Sequence, residues 1–277
     1  MIEKTALCAY SNHQRALYQN SECVYLRPDP RLGSYISNYT LSFPNQSHMT
    51  ESYTIIPHGC ATLVFALRDQ VFEGKVFGPA TKAALVGDQA ITFQQIMIVE
   101  FQPGGLGAFI TINQQELADH LVDLDLLHDR LNAKILVLLE RSETIENLLQ
   151  GLDQLFLTYL TNTSPKELQF STQQIIQHQG VLSLSRLSET VFYSERHLTR
   201  LFNEHLGMSS KVFSRLVRIN QAIRLLQNPT MTIRQVYEQM AYYDVSHFNR
   251  AFKQISGCTP TEYRQKMSDF YSEIAKF

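Results

Sequence analysis

The chain has 277 residues, of which 44% are hydrophobic and 18% are charged, so its composition excludes an intrinsically disordered protein and allows two domains. The net charge of −2 hides an asymmetry between the two parts of the chain. Residues 168–277 hold 13 Lys and Arg against 8 Asp and Glu, whereas residues 1–167 are acidic. The basic part indicates a polyanionic partner, with chance variation in surface charge as the simpler alternative.

The N-terminal segment and the cysteines bear on where the protein resides. The start, MIEKTALCAYSN, has no basic stretch followed by an apolar run, so we expect no signal peptide. No apolar stretch approaches the ~18 residues that a transmembrane helix needs, so we expect no membrane partner. The four cysteines show neither metal-binding nor redox spacing, and we expect them to be reduced thiols in the cytoplasm.

Short strands are predicted over the first hundred residues, where segments rich in β-branched and aromatic residues are separated by Gly, Pro, Asn and Asp. Their spacing of roughly ten residues favours a sandwich or a small barrel. Three glycines follow in FQPGGLGAF (101–109), where we expect a structural turn, with the mouth of a ligand site as the alternative. The six predicted strand segments are 34–43, 52–57, 61–67, 75–79, 90–94 and 96–103.

The pattern then changes to a helical period. A short helix is predicted over 112–124, and a longer amphipathic helix over 142–160, where apolar residues recur at three and four positions. The apolar face of the longer helix packs either on its own barrel or against a second copy of the chain, and the sequence leaves both open. Turn-forming residues at 161–167 predict a linker. We expect no strand after residue 168.

Two short helices joined by a tight turn are predicted over 182–207. Ser194 is a suitable N-cap for the second helix, and Gly207 is suited to end it. In a helix-turn-helix unit, the second helix enters the major groove and presents polar residues to base edges. Base contacts are therefore predicted for the polar side of this helix, with an ordinary solvated face as the alternative: Arg196, Thr199, Arg200 and Asn203.

The same arrangement recurs over 232–257. There, HFNRAF (247–252) parallels HLTRLF (197–202), and a second copy of the pattern argues against a chance match. The predicted base-contacting residues of this second unit are Val245, Ser246, Asn249 and Arg250.

A helix predicted over 209–228 separates the two units. Its ~18 helical residues span about 27 Å at 1.5 Å per residue. With the helix widths added, the two reading helices are expected roughly 34 Å apart, which is one turn of DNA, so that both enter successive major grooves. Phosphate contacts, which add affinity without sequence information, are predicted for Ser194, Lys211, Arg215, Arg218, Arg224, Arg234 and Lys253.

These residues and their spacing resemble the AraC/XylS family of transcriptional regulators over roughly residues 170–266. The similarity is carried by SERHLTRLFNEHLG, FSRLVRINQAIRLL and DVSHFNRAFKQISGCTPTEYR, of which the last contains a string typical of the family. The resemblance implies that bases are read by Arg196, Thr199 and Arg200 in the first unit and by Val245, Ser246, Asn249 and Arg250 in the second.

The chain departs from the family pattern at two kinds of position. The family usually has Ala within the first helix of each unit, where this chain has Ser188 and Tyr237. It usually has Gly at the turn, where this chain has Phe192 and Ala241. A bulky Tyr at a helix crossing is expected to tilt the second reading helix. The first unit is therefore expected to read bases, and the second to contribute more to phosphate docking.

The N-terminal part resembles the sensor region of one branch of the same family. The resemblance is carried by YTIIPHGCATLVF, VFGPAT, EFQPGGLGAFI and ELADHLVDL. It implies a cupin-like β-barrel followed by helices, and a small-molecule or protein signal. The predicted fold class is therefore α+β, with this sensor and dimerisation domain over 1–165 and an all-α double helix-turn-helix domain over 166–277.

The resulting prediction is a sequence-specific regulator of the AraC type that binds double-stranded promoter DNA. A small-molecule effector or dimerisation would control it, and this interpretation leaves room for a homodimer and for a contact with RNA polymerase. The alternatives are a cupin-like enzyme fused to a DNA-binding tail and a regulator whose barrel only dimerises. The sequence has no His-x-His pair and no nucleophile elbow, so we expect no metal, cofactor or catalytic residue.

Overall fold

The computed structural model describes residues 1–44, 51–161, 165–267 and 270–271 and contains a β-rich N-terminal region and a helical C-terminal region. This arrangement confirms the α+β class predicted from the sequence. Within these ranges, none of the helices combines the length and the apolarity that crossing a membrane requires.

The strands pair into a large and a small sheet. In chain order they are β1 Ala16–Gln19, β2 Cys23–Leu26, β3 Ile36–Ser42, β4 Thr54–Ile55, β5 Thr62–Arg68, β6 Val71–Phe77, β7 Ala84–Leu85, β8 Gln95–Phe101, β9 Leu121–Asp123 and β10 Phe270–Tyr271. The large sheet is antiparallel, with the order β1-β2-β3-β8-β5-β6-β9, and the small sheet has the order β10-β4-β7. Because β10 pairs with β4, a C-terminal segment joins a sheet of the N-terminal region.

The large sheet buries one face in the main N-terminal core. Tyr39 of β3 pairs with Val99 of β8, which pairs with Leu63 of β5, and all three side chains are buried in that core. Since side chains alternate along a strand, the neighbouring Glu100 lies on the opposite face. The helices of this region are α1 Thr5–Ala9, α2 Gln114–Leu117, α3 Leu124–Arg141 and α4 Ile145–Tyr159.

The apolar face of α4 is covered within the chain. Leu152 and Phe156 of this helix are fully buried in the N-terminal core. The ring of Phe156 stacks on that of Tyr39, with 6.1 Å between the ring centres. Of the two partners that the sequence left open for this face, the structure shows the chain's own sheet.

The C-terminal region packs its helices around a second core. The helices of this region are α5 Lys166–Gln177, α6 Leu184–Val191, α7 Glu195–Leu206, α8 Ser210–Leu226, α9 Ile233–Gln239, α10 Val245–Ser256 and α11 Pro260–Gln265. Four phenylalanines are fully buried there: Phe202, Phe213, Phe248 and Phe252. Ile56, which precedes this region by more than a hundred residues, is buried in the same core.

Three predictions of secondary structure are wrong. The segment 90–94 is predicted as a strand, but Gly87–Thr92 forms a 3-10 helix and β8 begins only at Gln95. The helix predicted over 112–124 is limited to α2, because Asp119 takes a left-handed φ of 60° and accepts hydrogen bonds from N and Oγ1 of Thr81. The expectation of no strand after residue 168 fails at β10, which forms through pairing with a distant segment.

The other strand predictions agree with the structure to different degrees. The segment 34–43 contains β3, and 61–67 and 96–103 contain all but one residue of β5 and β8, whereas 52–57 and 75–79 contain only β4 and the end of β6. The strands β1 and β2 are not among the predicted segments. The predicted linker lies partly outside the described residues, and α5 already begins at Lys166. The domain boundary between residues 165 and 166 stays a prediction.

Candidate nucleic-acid interface

The first helix-turn-helix unit is built by local capping interactions. Ser183 caps α6 by accepting a hydrogen bond from the backbone N of Arg186, and Ser194 caps α7 by accepting one from the backbone N of His197. Gly207 ends α7 with a φ of 71° and donates its N–H to the carbonyl of Asn203. The short connection between the caps turns α7 across α6.

The two sides of α7 have different environments. Leu198, Leu201 and Phe202 are buried in the C-terminal core. On the opposite side, Arg196 and Arg200 are exposed, and Thr199 and Asn203 are partly exposed. The Arg200 side chain is 62% exposed, and its Nη1 lies 3.5 Å from Oε1 of Glu204. An ion pair this exposed contributes little stability, so Arg200 is able to exchange it for another acceptor.

The second unit repeats this construction with α9 and α10. Thr232 and Gln235 form a capping box at the start of α9, and Asp244 caps α10 by accepting a 2.6 Å hydrogen bond from the backbone N of His247. Phe248, Phe252 and Ile255 are buried. The predicted base-contacting residues lie on the other side, where Val245, Ser246 and Arg250 are exposed and Asn249 is partly exposed.

Both turns contain a residue in the left-handed region where the family pattern has Gly. Phe192 has a φ of 59° and Ala241 has a φ of 54°. The Phe192 side chain is almost fully exposed, so packing does not offset the strain of its backbone. The same unfavourable conformation at equivalent positions means that the two turns share one geometry.

A cleft between the two units holds several of the predicted phosphate-contacting residues. Its lining includes Lys211, Arg215 and Arg218 of α8 and His247 of α10. The guanidinium carbon of Arg218 lies 3.6 Å from the centre of the Tyr242 ring, and its Nε donates a 2.6 Å hydrogen bond to the carbonyl of Met240. Burial lowers the pKa of Arg218. Arg218 therefore also fastens α8 to the turn of the second unit.

The other predicted phosphate-contacting residues lie outside this cleft. Ser194 at the start of α7, Lys253 of α10 and Arg224 of α8 are exposed. Arg234 is exposed and pairs with Glu238 at 2.8 Å, and this hydrogen bond raises the pKa of Arg234. The structure thus brings together Lys211, Arg215 and Arg218 of α8 and leaves the remaining predicted residues dispersed, including Arg224 near the other end of α8.

Comparison with known families assigns this part of the chain. Residues 187–266 match the family described as a helix-turn-helix domain, and these residues include the second unit and the first unit from Leu187 onward. Residues 187–266 therefore form an AraC-type helix-turn-helix domain. Residues 25–123 match a family described as a domain of unknown function (DUF6597).

Similar curated proteins match about a third of this chain. An uncharacterised HTH-type transcriptional regulator of Staphylococcus aureus (strain MSSA476) is 39% identical over 83 residues, which are 30% of this chain and 11% of that protein. The regulator YtdP of Bacillus subtilis (strain 168) is 28% identical over 94 residues, which are 33% of this chain and 12% of YtdP. The match thus spans about a tenth of the length of these relatives.

Two solved structures are similar to different shares of this chain. The C-terminal domain of AraT, a response regulator from Geobacillus stearothermophilus, is 26% identical, and the match covers 40% of this chain and 93% of that domain with a TM-score of 0.36. ToxT from Vibrio cholerae O395 is 12% identical, and the match covers 83% of this chain and 92% of ToxT with a TM-score of 0.41.

The helix-turn-helix domain is joined to the N-terminal region by a strap, residues 56–59. Ile56 enters the C-terminal core, and the carbonyl of Pro57 accepts a 2.9 Å hydrogen bond from Nδ2 of the buried Asn220. Gly59 has a φ of 72°, and a Cβ there would lie 2.9 Å from Cδ1 of Leu216, so any other residue would strain the backbone and displace Leu216. The strap therefore ties the N-terminal region directly to α8.

A second contact joins α2 of the N-terminal region to α7. The backbone of Gln114 packs against Gly207 at the end of α7, and burial lowers the pKa of the neighbouring His205. Asn113 and Gln115 form one wall of a crevice beside α2. Its other wall is the outer side of α7, with Arg196, Thr199, Arg200, Asn203 and Glu204.

The N-terminal sheet also holds a buried polar cluster. Glu100 accepts a 2.9 Å hydrogen bond from Oγ1 of Thr62 and lies 3.3 Å from Nε2 of His58. His58 belongs to the strap, so the cluster touches the connection between the two regions. Over the described ranges, no group of three or more His, Cys, Asp or Glu is placed to hold a metal ion.

Sequence reasoning missed two features of the interface. Tyr243 is 93% exposed at the start of the second reading helix, and its position beside the N-cap Asp244 could have marked it as a DNA-contacting candidate. Asn113 and Gln115 were not candidates, because no local pattern connects them with α7. Only the packing of the two regions places them beside the predicted base-contacting residues.

Proposed function

We propose that this chain regulates transcription by binding double-stranded promoter DNA with both helix-turn-helix units. One observation carries the proposal: α7 and α10 each bury an apolar side in a common core and leave a polar, arginine-containing side at the surface. Such a helix fits the major groove, where Arg side chains bind guanine and Asn binds adenine. The similarity of the domain to HTH-type transcriptional regulators supports the same function.

The remaining predicted contacts complete this proposal. The cleft residues Lys211, Arg215 and Arg218, together with Ser194, Arg234 and Lys253, bind phosphates and fix the register of the domain on the duplex. The N-terminal region controls the domain through a small-molecule effector or through a homodimer, and RNA polymerase is a further partner of a regulator bound at a promoter. This role needs no catalytic group and places the protein in the cytoplasm.

A binding experiment with the Arg200→Ala variant tests DNA reading. The probe is a duplex enriched from a random pool by the purified protein, and a random-sequence duplex of equal length serves as reference. We expect Arg200→Ala to weaken binding to the enriched duplex roughly 5- to 150-fold, because a bidentate contact to a base is worth about 1–3 kcal/mol. Binding to the random duplex should change far less.

The Lys253→Ala variant is the matched control. A residue that contacts only phosphate should weaken binding to both duplexes by a similar factor when it is removed. If Arg200→Ala also weakens both duplexes equally, Arg200 contacts only phosphate. If the protein enriches no sequence at all, the proposed function is wrong.

A further inference from the structure

The two helix-turn-helix units differ in what lies against the end of their reading helices. Gly207 and Gly257 are equivalent residues: each ends its reading helix, with a φ of 71° and 81°. Each donates its N–H to a helix carbonyl at 3.0 Å. A Cβ at Gly207 would lie 2.5 Å from the carbonyl oxygen of Gln114 in α2, whereas a Cβ at Gly257 would meet nothing within 4 Å. The first unit is covered at this position and the second is open.

The covering segment also runs along the outer side of α7. Asn113 and Gln115 face the crevice whose opposite wall contains Arg196, Arg200 and the other predicted base-contacting residues of the first unit. Gln114 and Leu117 of α2 are both buried, and Leu117 belongs to the N-terminal core. The helix α2 is therefore anchored to the N-terminal region. The loop before α2 adds to the contact, since a Cβ at Gly104 would lie 3.4 Å from the carbonyl of His205.

This arrangement conflicts with insertion of α7 into DNA. An α-helix with its side chains is about 10–12 Å wide, and the major groove is about 12 Å wide, so a reading helix fills the groove. A second segment beside its outer side would occupy the space of a phosphate backbone. The exposed Glu116 of α2 and the acidic N-terminal region would also repel phosphates.

We infer that α2 is an autoinhibitory cover of the first helix-turn-helix unit, and that DNA binding by both units requires α2 and α7 to separate. This inference rests on the proposed function. In the structure described here, the second unit is free to engage DNA while the first is blocked. The apparent affinity for a two-unit site is then reduced by the fraction of molecules in which α2 has left α7.

The glycine pair supplies a matched test in the full-length protein. Gly207→Ala and Gly257→Ala place a methyl group on the same left-handed backbone, but only the first pushes against α2. Both variants and the parent are titrated with one 40-base-pair duplex, enriched from a random pool by the Gly207→Ala protein. We expect Gly207→Ala to bind at least about fivefold more tightly than the parent, and Gly257→Ala to bind no more tightly than the parent.

A second measurement covers the case in which Gly207→Ala does not fold. Hydrogen–deuterium exchange of the amides at residues 112–118 is followed in the parent protein, with and without a saturating random-sequence duplex. Separation of α2 from α7 should speed this exchange in the presence of DNA, since binding and opening are linked. Exchange that is unchanged or slower with bound DNA would overturn the inference.

The outcomes separate the two proposals. If all three proteins bind the enriched duplex specifically and with equal affinity, α2 does not cover the first unit, and the proposed function stands. If none of them prefers the enriched duplex over random DNA, the proposed function itself is wrong. Tighter binding by Gly207→Ala alone, with faster exchange on DNA binding, supports both.

Discussion

Single residues at the two turns carry backbone strain, at positions where the sequence already departs from the glycine of the family pattern. Phe192 and Ala241 occupy left-handed conformations, with φ of 59° and 54°, at positions where glycine would be unstrained. A left-handed backbone costs a residue with a Cβ about 1–2 kcal/mol. At Ala241 the strain persists because the flanking helices α9 and α10 are held by the buried Val236 and Phe248.

Replacing Ala241 by Gly should therefore stabilise the protein. The relief of strain is larger than the extra chain entropy that glycine gives the unfolded state, so we expect the free energy of unfolding to rise by about 0.5–1 kcal/mol. Urea denaturation, followed by circular dichroism, measures the change. The control is Ala251→Gly within α10, which should lower stability by about 1 kcal/mol. A decrease for Ala241→Gly as well would show that the turn favours alanine for another reason.

Between elements, the orientation of the second unit depends on α8. Arg218 stacks on Tyr242 at 3.6 Å and donates to the carbonyl of Met240, while Nη1 of Arg215 donates to Oε1 of Gln254 at 2.9 Å. These contacts connect one helix with both the turn and the reading helix of the second unit. They fix the relative orientation of the two reading helices, on which simultaneous insertion into neighbouring grooves depends.

The Arg218→Lys variant should weaken this connection although it keeps the charge. A lysine offers neither the planar group that stacks on Tyr242 nor the Nε donor, so we expect a loss of about 1–2 kcal/mol of unfolding free energy. The exposed Arg196→Lys in α7 should change stability by less than about 0.5 kcal/mol. Thermal unfolding of the two variants compares them directly. Equal stability of Arg218→Lys and the parent would mean that the stacked pair contributes nothing net.

The elements that the sequence predicted well are those with local signals. For α7 and α10, the apolar spacing, the caps Ser194 and Asp244 and the final glycines lie within a few residues of one another, and helices depend mainly on such short-range interactions. The strands β4, β7 and β10 have two residues each and form only through pairing with distant segments. No periodicity can emerge from two residues, so β7 and β10 were not predicted, and β4 was predicted only as part of the longer segment 52–57.

In the candidate interface, too, residues set by local patterns could be predicted, and residues placed by distant packing could not. The outer residues of α7 and α10 could be predicted because they follow from the helical period. The contact of α2 with Gly207 could not, since it joins residues almost a hundred positions apart and depends on how the two regions pack. Arg218 was predicted as a phosphate contact from its charge alone, and its stacking on Tyr242 became visible only with the turn in place.

At the scale of the whole molecule, the two regions share a core residue. Ile56 belongs to the N-terminal region by sequence, yet it is fully buried among C-terminal helices. The hydrogen bond from Asn220 to Pro57 and the close packing of Gly59 on Leu216 hold the same strap. Because these contacts are lost when either region unfolds, the strap makes the stability of one region depend on the other. We therefore expect a single calorimetric transition for the intact protein.

The Ile56→Ala variant should separate this transition into two. Removing a fully buried isoleucine costs about 2–5 kcal/mol, and here it also removes the anchor that couples the regions. Ile175→Ala is the matched control, because Ile175 is buried in the same core but belongs to α5. It should lower the melting temperature by a similar amount and keep one transition. If calorimetry shows the same number of transitions for both variants, Ile56 is an ordinary core residue, and the two regions are coupled by other contacts such as that between α2 and α7.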